Sequence, residues 1–147
     1  MAPAEVIDAY VGRSSGGRRL SGSEWGLTVP AEEAAGEPLE VGVSIADDLV
    51  RASAAALPQG SELDPWMLLW WNRQARLVRY GSTRTREIWV HGDLPLVGLG
   101  EPALERMVRL VTEAAVAIRE YARAARRSAE PPSPPGVGPP RRRNGSR

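Results

Sequence analysis

Residues 63–74, LDPWMLLWWNRQ, are the part of the chain around which the predicted fold is built. Asp64 is placed to cap the free N–H groups at the start of a helix. Pro65 follows at the first helical position, where a missing N–H costs nothing. The pattern predicts a helix that runs to about Gln74.

Large apolar side chains surround this predicted helix on almost every side. A helix that is apolar all round must be covered on more than one side. Part of the tryptophan cluster can be plain core over a sheet. The chain offers one sheet and one other long helix for this, so we expect Trp70 or Trp71 to meet a second copy or a partner protein. The candidate interface residues are Trp66, Trp70, Trp71 and Trp89.

Patterns on both sides of the helix indicate a sheet. Apolar alternation predicts three strands before the helix and a hairpin after it, although the alanines of the third strand would equally suit a helix. The predicted strands cover residues 25–29, 39–45, 49–57, 75–81 and 86–94. A last, long helix has its apolar face on Leu104, Met107, Val108, Val111, Ala115, Ile118 and Tyr121.

This order of elements predicts an α+β fold, with an antiparallel sheet of about five strands covered by helices. The order is helix, three strands, helix, two strands, helix. We expect a short N-terminal helix at residues 1–12 and a flexible Gly/Ser/Arg linker at residues 13–23. A single α+β domain should span residues 24–127, followed by a disordered Pro/Arg-rich tail at residues 128–147.

Composition excludes several chemistries. The chain has no cysteine, no lysine and one histidine, His91, which removes disulfides, thiolate nucleophiles, Schiff-base lysines and two-histidine metal sites. A Ser/His/Asp site survives on paper because His91 and Asp93 share one strand face, but no G-x-S-x-G motif accompanies them. We therefore expect no enzyme activity and no cofactor.

The charge distribution suggests an alternative function. The net charge is only +1, but the C-terminal end carries the run Arg141, Arg142 and Arg143. Arginine suits phosphate binding, so a nucleic-acid-associated accessory protein is the second hypothesis, although no aromatic residue interleaves for base stacking. No apolar run reaches the roughly 20 residues of a membrane helix, and the N-terminus lacks a signal-peptide pattern, which predicts a cytoplasmic protein.

Three stretches together resemble a known family. They are LLWWNRQARLVRYG at residues 68–81, IWVHGDLPL at residues 88–96 and LGEPALERMVRLV at residues 99–111. Over roughly residues 24–122 the chain resembles the YbjN-like proteins and their structural relatives, the type III secretion chaperones. The resemblance implies a small α+β homodimer that binds other proteins, chaperone-like or regulatory, without a catalytic motif.

Overall fold

Alternating apolar residues form one antiparallel sheet of six strands. The structure is a computed structural model that describes residues 1–129. The strands are β1 (Arg18–Arg19), β2 (Glu24–Val29), β3 (Leu39–Ala46), β4 (Leu49–Leu57), β5 (Val78–Ser82) and β6 (Ile88–Pro95). Their spatial order is β1-β2-β3-β4-β6-β5, which leaves β1 and β5 at the two edges.

Three helices accompany the sheet, so the predicted α+β class is confirmed. They are α1 (Pro3–Gly12), α2 (Pro65–Gln74) and α3 (Glu101–Ala129), with one 3-10 turn at Ala31–Glu33. The segment 49–57 is a strand and not a helix, because Val50, Ala52 and Ala54 alternate into the core while Arg51 points away. The predicted count of about five strands is corrected to six by β1.

The additional strand lies inside the range predicted to be a flexible linker. Arg18 and Arg19 pair with Gly26 and Trp25 of β2. The guanidinium of Arg19 donates to Asp8 Oδ2 at 3.0 Å and lies 5.0 Å from the centroid of the Trp25 ring. Residues 13–23 therefore include a hydrogen-bonded strand tied to α1, which a Gly/Ser-rich composition does not reveal.

The hydrophobic core lies between one face of the sheet and the helices α1 and α3. Val6, Ile7 and Val11 bury the inner side of α1, so this helix belongs to the same core as the sheet. α3 lies over β4 and β6 and buries a stripe at helical spacing. The buried residues of α3 are Leu104, Met107, Val108, Val111, Ala115, Ile118 and Ala122.

The predicted inward face of α3 is right at six positions and differs at its C-terminal end. Ala122 is buried, whereas Tyr121 is 40% exposed and turns toward α2. The helix extends to Ala129, two residues into the segment predicted to be a tail from Ser128. The remainder of that predicted tail, residues 130–147, lies outside the described residues.

Candidate functional site

The helix α2 lies beside the edge strand β5, outside the main core. Asp64 Oδ1 accepts the Trp66 N–H at 3.0 Å, so the predicted N-cap is present. None of the ten residues of α2 is buried, although Met67, Leu68 and Trp71 pack partly against the core. The expectation that the fold is built around this helix is therefore wrong, and the largest fully buried side chain is Trp25 of β2.

The outward side of α2 carries three exposed apolar residues at i, i+3 and i+4. Trp66 is 78% exposed, Leu69 is 59% exposed and Trp70 is 58% exposed. This spacing places the three side chains on one side of the helix. We name these three residues the α2 ridge.

Trp71 faces the opposite way and packs within the chain. Its ring lies 5.8 Å from that of Tyr80 and 5.5 Å from that of Tyr121, the second contact being edge-on. The Tyr80 hydroxyl donates to the Ala114 carbonyl of α3 at 2.7 Å, and burial raises the pKa of Tyr80 to about 12. These contacts fix which side of α2 faces inward, and Trp70 is left outside.

Asn72 closes the edge of the sheet at β5. Its Oδ1 accepts the Tyr80 N–H at 2.8 Å, and its Nδ2 donates to the Tyr80 carbonyl at 3.1 Å. The side-chain amide thus makes the two hydrogen bonds that an added strand would make there. From the sequence, Asn72 is one of the few polar residues of α2. Its hydrogen bonds to the backbone of Tyr80 are visible only in the structure.

The opposite edge of the sheet is protected differently. β1 has only two residues, both exposed arginines. A short edge strand with cationic side chains discourages pairing with another chain. Both edges of the described sheet thus carry a feature that opposes pairing with an extended partner strand.

An open groove borders the α2 ridge. It lies where the C-terminal half of α2 meets β5 and the middle of α3, and its volume is about 380 Å³. We name it the aromatic groove, after its rings. Its walls include Trp70, Trp71, Tyr80 and Ala114.

Trp89, the fourth candidate, does not join the other three. It lies in β6 opposite Ala55 and Gly81, on the face of the sheet away from the buried Val90 and Ile88. Its indole nitrogen is shielded from solvent and has no hydrogen-bond partner among residues 1–129. The structure thus brings together Trp66, Trp70 and Trp71 in one helix and separates Trp89 from them.

The same sheet face holds His91 and Asp93, the remaining possibility for catalysis. Asp93 accepts hydrogen bonds from Arg51 at 2.7 Å and from Arg79 at 2.9 Å, and these bonds lower the pKa of Asp93 to about 2. Burial, together with the two arginines, lowers the pKa of His91. Asp93 thus accepts hydrogen bonds from arginines and none from His91, so the described residues do not form a Ser/His/Asp relay.

Arginines on this face pair with acids. Arg18 pairs with Glu40 at 3.4 Å, and Arg51 and Arg79 share Asp93. Two arginines thus share one carboxylate, so the group formed by Arg51, Arg79 and Asp93 keeps a net positive charge. Arg141, Arg142 and Arg143, the candidates for nucleic-acid binding, lie outside the described residues.

Within residues 1–129, no group of three or more His, Asp or Glu side chains is arranged to hold a metal ion. In the same range, no helix is both long enough and apolar enough to cross a membrane.

No family model matches the chain, and no curated protein matches it. The resemblance to YbjN-like proteins and secretion chaperones therefore stays a prediction.

Proposed function

We propose that this chain is a non-catalytic, chaperone-like or regulatory protein-binding module that forms a homodimer through the α2 ridge. The single observation that carries the proposal is the exposure of Trp66, Leu69 and Trp70 on one side of α2. Tryptophan is depleted at ordinary solvated surfaces and enriched among the residues that dominate interface energies. An interface on the α2 ridge therefore explains why α2 is rich in tryptophan, which packing in the core does not explain.

The two sheet edges support side-chain docking over strand addition. Asn72 occupies the backbone groups of Tyr80 at one edge, and β1 limits the other edge to two arginines. A partner that recognises this chain therefore meets the side chains of α2 before it meets free backbone groups. The closest geometric match to the ridge is another apolar helix face, such as α2 of a second copy.

The apolar area of the α2 ridge determines how tightly two copies are expected to associate. Two indoles and one leucine of this exposure offer roughly 400 Å² per protomer. A standard stable interface takes roughly 800 Å² from each partner. We therefore expect a reversible homodimer with a dissociation constant on the order of 10–100 µM, which another protein with an apolar helix can displace.

The test compares two leucines of matched exposure. Leu69 on the ridge is 59% exposed, and Leu20 beside β1 is 57% exposed. Leu69→Arg should weaken self-association by roughly tenfold or more, because it places an unpaired charge in the interface. Leu20→Arg should leave the dissociation constant within about threefold of the wild-type value.

Sedimentation equilibrium from micromolar to submillimolar concentration measures both variants. A wild-type chain that stays monomeric throughout this range would contradict the dimer. Equal weakening by both substitutions would show that added charge, and not the ridge, controls association. The alternative function in nucleic-acid binding depends on Arg141, Arg142 and Arg143 and stays a prediction.

A further inference from the structure

A separate hollow lies on the face of the sheet opposite α1 and α3. Its volume is about 260 Å³, and its walls include Arg51, Ser53, Trp89 and His91. Ser53 of β4 pairs with His91 of β6. Arg51 and Trp89 each lie two positions before one of these residues, so alternation places all four side chains on one face. We name this feature the polar hollow.

The charges that face the polar hollow leave a positive surplus. Arg51 lies opposite Asp93 of β6, and Arg79 of β5 lies opposite His91. The two arginines share the single carboxylate of Asp93. Burial is the main cause that lowers the pKa of His91, the two arginines lower it further, and Asp93 raises it. The imidazole is thus neutral at pH 7 and lies beside more positive than negative charge.

At the rim of the hollow, the hairpin between β5 and β6 holds one further carboxylate. Glu87 accepts hydrogen bonds from the hydroxyls of Thr83 and Thr85, at 3.4 Å and 3.3 Å. This acid is therefore occupied by the hairpin itself, and it is not among the groups that shift the pKa of His91.

The polar hollow also contains hydrogen-bond donors that the described chain does not use. Arg51 donates its Nε and Nη2 to Asp93, which leaves Nη1 without a partner among residues 1–129. The hydrogen bonds across this face join arginines to Asp93, and within the same residues none includes the Ser53 hydroxyl or the His91 ring. A neutral imidazole carries one N–H donor. Three donors from three residues therefore border one hollow.

The size of the polar hollow limits what it can hold. Ordinary small-molecule sites measure roughly 300–1,000 Å³, so a hollow just below this range suits a compact group. Gly81 contributes to the available space, because a Cβ at this position would come within 3.0 Å of the His91 ring. A phosphate group has three terminal oxygens for three donors, whereas a carboxylate has two, and arginine matches phosphate geometry well.

We propose that the polar hollow is a binding site for a phosphate group, either free phosphate or the phosphate monoester of a small molecule. Arg51, Ser53 and His91 donate to its oxygens. Arg79 does not line the hollow, and it acts by sharing Asp93, so that Arg51 keeps a free nitrogen and a charge that is not fully compensated. None of these residues belongs to the α2 ridge, so the site does not depend on the proposed dimer.

His91 provides a direct test, because it is the only histidine of the chain. Its ring Hε1 signal is followed by NMR on the full chain from roughly pH 4 to pH 8, in sodium chloride alone and with sodium phosphate or glycerol 3-phosphate at equal ionic strength. A bound dianion favours the protonated imidazole, so phosphate should raise the pKa of His91 by about one unit. Titration at constant pH gives the dissociation constant, which we expect to be on the order of 1 mM.

Two arginines of this face form a matched pair of variants. The side chain of Arg51 is 48% exposed and that of Arg18 is 52% exposed, and each pairs with an acid. Arg51→Gln should weaken phosphate binding by roughly tenfold or more, whereas Arg18→Gln should leave it within about threefold. Ser53→Ala keeps the pair between Arg51 and Asp93, and should weaken binding by about threefold to tenfold even if Arg51→Gln fails to fold.

The outcomes separate the sources of the phosphate group. Tighter binding of inorganic phosphate supports the free ion, and tighter binding of glycerol 3-phosphate supports a monoester. Acetate that binds as tightly as phosphate would overturn the assignment of the ligand. A His91 signal that responds to phosphate no more than to sodium chloride, or equal weakening by Arg51→Gln and Arg18→Gln, would overturn the site itself.

Discussion

The helices α2 and α3 use apolar residues in opposite ways. α2 carries three tryptophans and three other large apolar residues within ten positions, yet none of them is buried. α3 carries charged residues on one side and apolar residues on the other, and seven of its side chains are buried in the core. A narrow stripe that matches the sheet therefore contributes more to the core than an apolar surface that points in all directions.

The contrast is clearest between individual tryptophans. Trp25 in β2 is 1% exposed, and its indole N–H donates to Asp8 Oδ1 at 2.7 Å. Trp66 in α2 is 78% exposed. The first ring holds α1 against the sheet, whereas the second is free to contact another molecule.

The largest expected effect is therefore the difference in stability between variants that lack the Trp25 ring and variants that lack the Trp66 ring. Trp25→Ala should lower the free energy of unfolding by roughly 3–5 kcal/mol, because it leaves a cavity in the core and removes the indole N–H that donates to Asp8. Trp66→Ala should cost less than about 1 kcal/mol in the monomer. Chemical denaturation at low protein concentration measures both values, and similar losses would break the distinction between core and ridge.

A second prediction concerns Arg119, which lies on the side of the sheet that α3 covers. Its guanidinium donates to the carbonyls of Ala34, Glu37 and Ala56, at 2.7–2.9 Å, and so fastens the loop after β2 and the end of β4 to α3. Arg119→Met keeps the aliphatic length but leaves these carbonyls unpaired, and should cost roughly 2–3 kcal/mol.

The control for this loss is another arginine of α3. Arg109 is exposed and only approaches Glu113, at 3.9 Å. Arg109→Met should change the free energy of unfolding by less than about 0.5 kcal/mol. Equal losses in urea denaturation would show that Arg119 acts as an ordinary surface charge.

Asn72 tests the boundary between α2 and the sheet. Asn72→Ala removes both hydrogen bonds to Tyr80, and should cost roughly 1–2 kcal/mol. It also uncovers an edge strand, so aggregation measured by light scattering on storage should increase. Gln74→Ala, also in the last turn of α2, should change neither quantity, and aggregation that rises equally in both variants would contradict the edge-closing role.

The smallest expected effect concerns pH and the uncovered sheet face. Because arginines lower the pKa of Asp93 from 3.8 to about 2, Asp93 stabilises the fold when ionised. That contribution is fully present above pH 3.8 and is lost as the pH falls through about 2. Wild type should therefore lose more stability than Asp93→Asn between pH 5 and pH 2 in urea denaturation, and the difference should shrink with added salt. Parallel losses would show that the bonds to Arg51 and Arg79 add nothing.

Much of the sheet could be predicted because strands with one buried face alternate strictly. β3 shows this in Leu39, Val41 and Val43, and β4 shows it in Val50, Ala52 and Ala54. β1 could not be predicted in this way, because two residues carry no period. Its position depends on the contacts of Arg19 with Asp8 of α1 and with Trp25 of β2, which the two residues of β1 do not reveal by themselves.

The candidate site was predictable only in part. The sequence identifies α2 and its tryptophans, but a helix that is apolar on all sides does not indicate which side meets the sheet. The contacts of Trp71 with Tyr80 and Tyr121 decide that, and they join three separate elements. For Trp89 a signal was present, since Ile88 and Val90 occupy the buried face of β6 and alternation then places Trp89 on the other face.

We propose the α2 ridge as the surface through which two copies associate. Labelling the five tryptophans with 5-fluorotryptophan and recording ¹⁹F NMR spectra from micromolar to submillimolar concentration tests it residue by residue. We expect the signals of Trp66 and Trp70 to shift with concentration, and those of Trp25 and Trp89 to stay constant. Signals that all stay constant, or a shift confined to Trp89, would contradict it.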